Sequence, residues 1–400
     1  ASESGHEVVG VDSDEVRVRA LQSGRSYVGD IPNERLESAR GRGFTAVTNA
    51  QSLRSWDVAI IAVPTPLLNG EPDMSFVTLA CVALAQTLSP GGCIILESTT
   101  YPGTTRGLVA RVVSEESGLS ESDFLVGFSP ERIDPGNTKY SLENTPKVVS
   151  GLSSEALSRV DSFYQSLGLQ TVRALTCEAA ELAKLVENSF RQVNIALVNE
   201  VLVAARAMGI DPWEAFRLAA TKPFGFMGFL PGPGVGGHCL PIDPIYLSWA
   251  ARQFGDSQIR LIEAADAANR EMPKYTTARA IALLEQGGAS ERPRKVMLLG
   301  VAYKRNTDDY RESPTFQVLK ELESEGIQVT LCDPIVAELN RPVEGYSVAR
   351  WSPDLCKSFH LVVVMVLHDV VPIEELILSS ALILDTRNFL DGFEFDGETL

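Results

Sequence analysis

Continuous apolar runs of strand length alternate with helix-period segments, and the alternation occurs twice in 400 residues. Near the start, Glu7–Asp12 (EVVGVD), Asp57–Val63 (DVAIIAV), Cys93–Glu97 (CIILE) and Phe124–Phe128 (FLVGF) read as strands. Helical patterns separate them over Asp14–Ser23, Ser75–Leu88 and Thr104–Ser117. Near the end, Lys295–Gly300 (KVMLLG), Gln328–Asp333 (QVTLCD), Leu361–Val366 and Leu382–Asp385 repeat the pattern around a helix over Thr315–Glu325. A strand apolar throughout must be covered on both faces, and helices between successive strands supply the cover.

The expected fold class is therefore α/β, with two Rossmann-like doubly wound domains. Length agrees, because 400 residues exceed what one core supports. Between the two alternations lies Glu178–Met208, 31 residues without Pro or Gly, about 46 Å long if helical throughout. Leu182, Val186, Val193, Leu197 and Val201 recur at near-helical spacing, as in a spine between domains that is often buried in a dimer. Lys184, Asn188 and Arg191 recur at i, i+4 and i+7, so they share one face, which is either a solvated stripe or part of a site. The division expected is 1–176, 177–290 and 291–400.

Asp12 and Asp333 stand at matching places, each ending a second-type strand, where an acid commonly hydrogen-bonds ribose hydroxyls. The alternative, a carboxylate capping the next helix, is stronger for Asp333. A dinucleotide-binding unit opens with a strand, a Gly-rich turn and a helix. Here "ASESGHEVVGVD" reads as the end of that helix, Gly5 as its cap, then the second strand. The first strand and its turn are absent from this sequence, and about 20 further N-terminal residues are expected from the size of such units.

The net charge of −17 argues against nucleic acid and anionic membrane as main partners. An anionic ligand would need a local cluster of Lys and Arg. The longest apolar runs, such as Leu361–Leu367, are too short to span a bilayer. Six cysteines without CxxC or metal-type spacing fit a reducing cytoplasm, and no metal site is expected.

One of those cysteines stands apart. Gly232–Asp243 reads GPGVGGHCLPID, placing His238 and Cys239 behind a run of glycines. Gly234, Gly236 and Gly237 imply a sharply turning backbone and a close approach. A metal site lacks a second ligand within reach. A buried structural cysteine is a common fate for the residue, although a Gly-rich loop is a poor place for one. A reactive thiol suits exposed amides and nearby cations. Asp243, between Pro241 and Pro244 after Ile242, could position a water.

The same segment resembles the catalytic-cysteine region of the UDP-glucose/GDP-mannose dehydrogenase family. Further stretches occur in the family's order: VVGVD (8–12), VPTP (63–66), ESTTYPGTT (97–105), GFSPERIDPGN (127–137), ELAKLVENSFRQVNIALVNE (181–200) and GVAYKRNTDDYRESP (300–314). The resemblance implies an N-terminal NAD-binding domain, a central helical dimerisation and catalytic-loop domain, and a C-terminal UDP-binding domain. It implies oxidation of C6 of a nucleotide sugar to a carboxylate with two NAD per sugar, in a cytoplasmic homodimer joined through the central helix. Covalent capture by a thiol splits a four-electron oxidation and retains the aldehyde.

Carried over residue by residue, Cys239 matches the nucleophile and Asp243 the acid that orients water. Lys184 matches the oxyanion-stabilising lysine, Asn188 a neighbouring donor and Glu131 the glutamate of the acid–base network. Thr100 matches a water-holding threonine, with Thr99 as the alternative because this loop is one residue shorter. For NAD, Asp12 matches the ribose acid and Arg17 a basic contact. Pro64 and Thr65 match the flanking loop, and Arg311 an arginine reaching from the C-terminal domain; Thr100 and Glu131 also border the cofactor. Substrate contacts fall to Lys184, Asn188, Arg191, Phe229, Leu230, Gly232, Gly236, His238 and Lys304.

UDP-glucose enzymes carry Ser before the cysteine and then Phe-Pro-Lys-Asp. Here His238 precedes it and Leu-Pro-Ile-Asp-Pro follows, which with SPERIDPGN resembles the branch acting on UDP-N-acetylglucosamine or UDP-N-acetylmannosamine. UDP-glucose 6-dehydrogenase is the alternative within the chemistry. A two-electron hydroxyacid dehydrogenase shares the Lys–Asn pair but needs neither the thiol nor a second nucleotide unit. A non-catalytic nucleotide-sugar binding protein is the alternative from a different class; only the missing Gly-rich turn favours it.

Overall fold

The computed structural model describes residues 1–28, 31–53, 55–134, 137, 139–255, 257–288 and 293–400. Pro135 and Gly136 of the SPERIDPGN stretch, and the expected boundary at 290/291, lie outside the described residues. The chain forms two compact units, Ala1–Glu187 with Ile245–Gln258, and Asn188–Pro244 with Ile259–Leu400.

In the first unit, β1 (Val8–Val11) and β2 (Phe44–Val47) form a parallel two-stranded sheet, with α1 (Glu15–Gln22) and α2 (Asn33–Gly41) between them in the chain. Asp14 caps α1, its carboxylate accepting the amides of Val16 and Arg17. Gly5, at φ 88°, ends the short turn Ser2–Ser4 in the left-handed region, the capping role expected of it. After β3 (Val58–Ile61) come the hairpin β4 (Leu67–Leu68) and β5 (Glu71–Pro72), α3 (Ser75–Ala85) and β6 (Cys93–Leu96). The expected helix over 104–117 is present in two parts, a π-helical stretch Thr105–Ala110 running into α4 (Arg111–Ser117). Then follow β7 (Leu125–Phe128), β8 (Lys147–Gly151), α5 (Ser154–Ser166) and β9 (Thr171–Arg173). The five-stranded sheet runs β3-β6-β7-β8-β9, separate from β1-β2.

Two features of that sheet depart from the sequence reading. β8 pairs antiparallel with β7, and β8, α5 and β9 were not anticipated. The reason is compositional: Lys147 opens β8, Ser150 and Gly151 close it, and β9 has three residues, so neither shows an uninterrupted apolar run.

α6 (Cys177–Ala207) is continuous for 31 residues and passes from the first unit's residues to the second's. It is followed by α7 (Pro212–Ala220), α8 (Asp243–Gly255) and α9 (Arg260–Gln286). The second sheet contains β10 (Lys295–Leu299), β11 (Gln328–Cys332), β12 (Val348–Ala349), β13 (Leu361–Val364), β14 (Ile383–Asp385) and β15 (Gly397–Thr399). All are parallel in the order β12-β11-β10-β13-β14-β15, the 3-2-1-4-5-6 arrangement of a Rossmann fold. Side chains alternate across this sheet. Val296 and Leu298 join a core with Leu283 and Leu284 of α9, and with Phe316 and Leu319 of α10 (Pro314–Ser324). Met297 and Leu299 join another with Cys356 of α11 (Pro353–Cys356) and Leu376 of α12 (Ile373–Ser379).

Asp333, at the end of β11, is not a ribose ligand here. It is fully buried, and its carboxylate accepts the amides of Ile335 and Val336 on one oxygen and of Val301 and Ala302 on the other. The helix-capping alternative therefore holds, and the same group also closes the turn after β10. Gly300 begins that turn at φ 97°, where a Cβ would lie 2.2 Å from the Val366 carbonyl oxygen. Gly300→Ala is expected to destabilise this unit by about 3 kcal/mol. Gly345 has a similar φ of 84° with nothing within 4 Å of a built Cβ. Urea unfolding of both alanine variants separates strain from clash, and an equal cost at the two positions would sink the steric argument.

Candidate active site

In the first unit, the functional groups gather on the N-terminal half of α6 and at the C-terminal ends of β6 and β7. Lys184 Nζ donates to the Glu131 carbonyl oxygen at 2.6 Å. The Glu131 carboxylate is itself fixed: Oε1 accepts the amides of Arg132 (2.7 Å) and Ile133 (2.6 Å), and Oε2 lies 3.0 Å from Lys147 Nζ. Burial pushes its pKa up, but Lys147 and these amides outweigh burial and hold it below the ordinary carboxylate range.

Thr100 is buried, its hydroxyl donating to Thr104 Oγ1 at 2.5 Å, whereas Thr99 is half-buried. The residue that pins this loop escaped the sequence reading. Glu181, fully buried on α6, accepts the amides of Gly103 (2.6 Å) and Thr105 (2.8 Å) and the Thr105 hydroxyl. Burial raises its pKa, and the three donors offset that only in part. The available signal was an acid three residues before Lys184, on the same face of the helix.

Asp12 follows β1. Its Oδ1 accepts the Asp14 amide at 2.9 Å, and Oδ2 lies 3.4 Å from Arg17 Nη1. The Arg17 guanidinium stacks on Tyr27 at 5.5 Å. Gly10, Asp12, Tyr27, Phe44 and Ala46 line one cleft of about 420 Å³. A partly exposed carboxylate acceptor beside an aromatic and apolar wall fits a ribose diol and an attached base. Thr65 is buried and its carbonyl accepts the Tyr246 hydroxyl at 3.1 Å, while Pro64 is exposed.

In the second unit, Asn188 Nδ2 donates to Asp243 Oδ2 at 2.5 Å, and both residues are buried. The Asp243 amide donates to the Cys239 carbonyl at 2.9 Å, so the cysteine sits one turn ahead of α8. Cys239 is exposed. The glycines are explained by what presses on them. A Cβ on Gly236 would lie 2.8 Å from the Glu312 carbonyl oxygen, and one on Gly237 2.8 Å from the Tyr303 ring. The Gly237 amide donates to the Arg311 carbonyl at 3.1 Å, tying the cysteine loop to the loop carrying Lys304 and Arg311.

The remaining predicted positions divide between this loop system and the surface. Arg311 is held by Asp309 at 2.9 and 2.6 Å, and Lys304 is half-buried. His238 is half-buried, and burial together with the Arg311 charge lowers its pKa, favouring the neutral ring. Phe229 packs edge-on against Phe190 at 5.9 Å, while Leu230 is exposed. Arg191 is exposed, away from the buried side that holds Asn188, and matches the solvated alternative for its position.

A second group missed from sequence is Arg387, after β14. Its Nε is buried without a hydrogen-bond partner, and Nη2 reaches only the Gly234 carbonyl at 3.4 Å. A Cβ on Gly232 would lie 2.9 Å from Nη1. Burial pushes its pKa down to about 10. A guanidinium with a buried, unpartnered Nε against a glycine loop fits an anionic group such as a diphosphate. Among the described residues, no group of acids, histidines and cysteines could hold a metal ion, and no helix is long and apolar enough to cross a membrane.

Comparison with known proteins agrees with this arrangement. Models described as the UDP-glucose/GDP-mannose dehydrogenase family NAD binding, central and UDP binding domains match residues 1–168, 178–271 and 297–392. The chain belongs to the UDP-glucose/GDP-mannose dehydrogenase family. A UDP-N-acetyl-D-mannosamine dehydrogenase of Pyrococcus horikoshii is 35% identical over 86% of this chain and 82% of its own length. A UDP-N-acetyl-D-glucosamine 6-dehydrogenase of Pseudomonas aeruginosa is 34% identical over 82% of this chain and 78% of its own length. The solved structure of a Pyrococcus horikoshii UDP-D-ManNAc dehydrogenase superposes with a TM-score of 0.88 at 30% identity, covering 99% of this chain and 94% of that one.

As a member of this family the protein is an NAD-dependent nucleotide-sugar dehydrogenase. The match to the NAD binding domain contains Asp12, Arg17, Pro64, Thr65, Thr100 and Glu131; the match to the UDP binding domain contains Lys304, Arg311 and Arg387. Lys184, Asn188 and the whole cysteine loop fall in the central match.

The six thiols divide sharply in this dehydrogenase. Burial pushes Cys81 and Cys93 up to about 12 and Cys177 to about 11, and it also raises Cys332 and Cys356. All five are buried, and only Cys239 is exposed. An aromatic disulfide reagent such as DTNB should therefore titrate one thiol in the native protein and all six after unfolding. Cys239→Ser should remove the fast one. Two or more fast thiols in the native wild type, or a fast one retained in the variant, would contradict the assignment.

Proposed function

We propose that the protein oxidises C6 of a UDP-N-acetylhexosamine, UDP-N-acetylglucosamine or UDP-N-acetylmannosamine, to the uronic acid through a thioester on Cys239. The observation that carries this reading is the exposed Cys239 thiol one turn ahead of the buried Asn188–Asp243 pair. Bound NAD supplies the hydride acceptor, used twice per sugar.

The side chains then have definite work. After the first oxidation, Cys239 Sγ adds to the aldehyde carbon as the C=O π bond opens, a proton equivalent to the one lost from the thiol is taken up by the aldehyde oxygen, and a thiohemiacetal forms that cannot diffuse away. Lys184 and Asn188 donate to the oxygen on which charge develops. The second oxidation leaves a thioester. Asp243, oriented by Asn188, accepts a proton from the attacking water as the C–O bond forms and the Cys239 C–S bond breaks. The balance is one alcohol, two NAD and one water to one carboxylate, two NADH and three protons.

Several narrower statements belong to the same proposal. Glu131 and Thr100 orient the hydroxyl or water. Asp12 and Arg17 hold the adenosine ribose. Arg311 reaches NAD, and Lys304 and Arg387 neutralise the diphosphate, which explains how a chain of net charge −17 takes a dianion. The N-acetyl branch is supported by His238 before the cysteine, Pro-Ile-Asp-Pro after it, and the substrates named for the two relatives above. Three functional domains, over 1–176, 177–290 and 291–400, and a cytoplasmic location complete the reading.

Limiting UDP-sugar with excess NAD tests the chemistry. Two NADH per UDP-N-acetylhexosamine and little from UDP-glucose are expected, with Cys239→Ser forming no acid. Two NADH from UDP-glucose alone would overturn the branch, and steady acid formation by Cys239→Ser would remove the thioester.

We also infer a homodimer built on α6. Leu182, Val186, Phe190, Leu197 and Val201 form an exposed apolar stripe along one side of this helix. Light scattering should give twice the chain mass, and Leu197→Glu should shift it to the monomer. A monomeric wild type at micromolar concentration would refute the dimer.

A further inference from the structure

Behind Glu131 lies a buried chain of charge that none of the steps above uses. Lys147 opens β8, and its side chain is only 4% exposed. Its ammonium lies 2.9 Å from Glu97 Oε1 and 3.0 Å from Glu131 Oε2. Tyr164 of α5 donates its hydroxyl to Glu97 and sets its ring 5.1 Å from the same ammonium. Lysine is almost never this buried unless paired, and leaving either partner alone in such a place is costly.

We propose that Lys147 is a positioning residue that locks Glu131 as a permanently charged, singly oriented carboxylate facing the site. This inference rests on the reading of Glu131 as part of the catalytic network. The geometry carries it in three ways. Glu131 is the exposed end of the chain, its side chain 44% exposed against 15% for Glu97. Both of its oxygens are engaged by donors from different elements, Oε1 by the Arg132 and Ile133 amides and Oε2 by Lys147, so the carboxylate plane cannot rotate. Oε2 retains a lone pair directed away from Lys147, which can accept one hydrogen bond from a hydroxyl or water.

The charges around Glu131 come from four elements. Lys147 faces it from β8, Glu97 from the end of β6 and the Tyr164 hydroxyl from α5. From α6, Lys184 donates to its carbonyl, and Glu187 pairs at 2.8 Å with the adjacent Arg132. Lys147 is the one cation whose charge meets the Glu131 carboxylate directly among these contacts. It therefore decides whether Glu131 takes up a proton in the working range. In the wild type Glu131 orients a group by accepting a hydrogen bond, and proton removal falls to Asp243.

The pH dependence of kcat and kcat/KM tests this in the wild type, Lys147→Met, Lys147→Arg and Glu131→Gln. Removing a cation at this range moves a carboxylate's titration up by about 1–3 pH units. Lys147→Met should therefore show an acidic limb displaced upward by that amount, and Lys147→Arg should return it to the wild-type position. Should Lys147→Met not fold, the double variant Glu97→Gln/Lys147→Met removes one charge of each sign and should show the same displaced limb. A purely structural lysine would lower stability or kcat without moving the limb, and that outcome, with Glu131→Gln strongly impaired, would overturn the role of Lys147 alone. If Glu131→Gln keeps wild-type activity across the range, the reading of Glu131 falls and the inference falls with it.

Discussion

The chemistry of this protein hangs on the inward side of one helix. A buried polar side chain must find a partner, and on α6 each one that does fixes a different functional segment. Glu181 takes the amides of the Thr100 loop, and Lys184 takes the Glu131 carbonyl. Asn188 holds Asp243, and Asn199 accepts the Gly232 amide at 2.9 Å. These positions recur at intervals of three, four and eleven, so they form one stripe along the helix. The exposed apolar residues Leu182, Val186, Phe190, Leu197 and Val201 form another. The buried side also carries apolar Leu185, Ala196, Val198 and Leu202, and the exposed apolar stripe is the surface that the proposed dimer covers.

Much of this was legible in the sequence because it rests on periodicity and on residue types with few alternative uses. The four inner strands of the second sheet could be read because strands such as β10 and β13 are apolar on both faces, whereas the short edge strands β12 and β15 show no apolar run and were not read. Cys239 could be singled out because glycines surround it. What escaped was set by tertiary pairing. Arg387 is an ordinary arginine until Gly232 and Gly234 are seen against it. Glu181 looks like a helix-surface acid until the Gly103 and Thr105 amides are seen to need an acceptor. Arg191 shows what spacing alone leaves open. Spacing puts it within about 20° of Lys184 around the helix, and the burial falls across that face from Asn188, buried, through Lys184, half-buried, to Arg191, exposed.

The two carboxylates assigned to the proposed chemistry are held by different kinds of donor. Glu131 is bound by an ammonium and two amides, which favour the anion and discourage protonation. Asp243 is buried and accepts a hydrogen bond from the neutral Asn188 carboxamide. An anion that must orient a group benefits from the environment given to Glu131.

The second unit reuses a dinucleotide fold for a different purpose, and Asp333 shows how. In the 3-2-1-4-5-6 sheet the acid after the second strand would ordinarily meet a ribose. Here four backbone amides and His368 Nε2, at 3.0 Å, occupy its carboxylate completely. His368 Nδ1 in turn accepts the Asn306 amide at 2.9 Å, which requires the neutral ring with its proton on Nε2. The acid and the histidine thereby hold both ends of Val301–Asn306, the segment that carries Lys304. Losing the ribose contact is what permits this. With its carboxylate turned inward, Asp333 fixes the backbone of the segment that carries Lys304, the cation proposed above to meet the diphosphate.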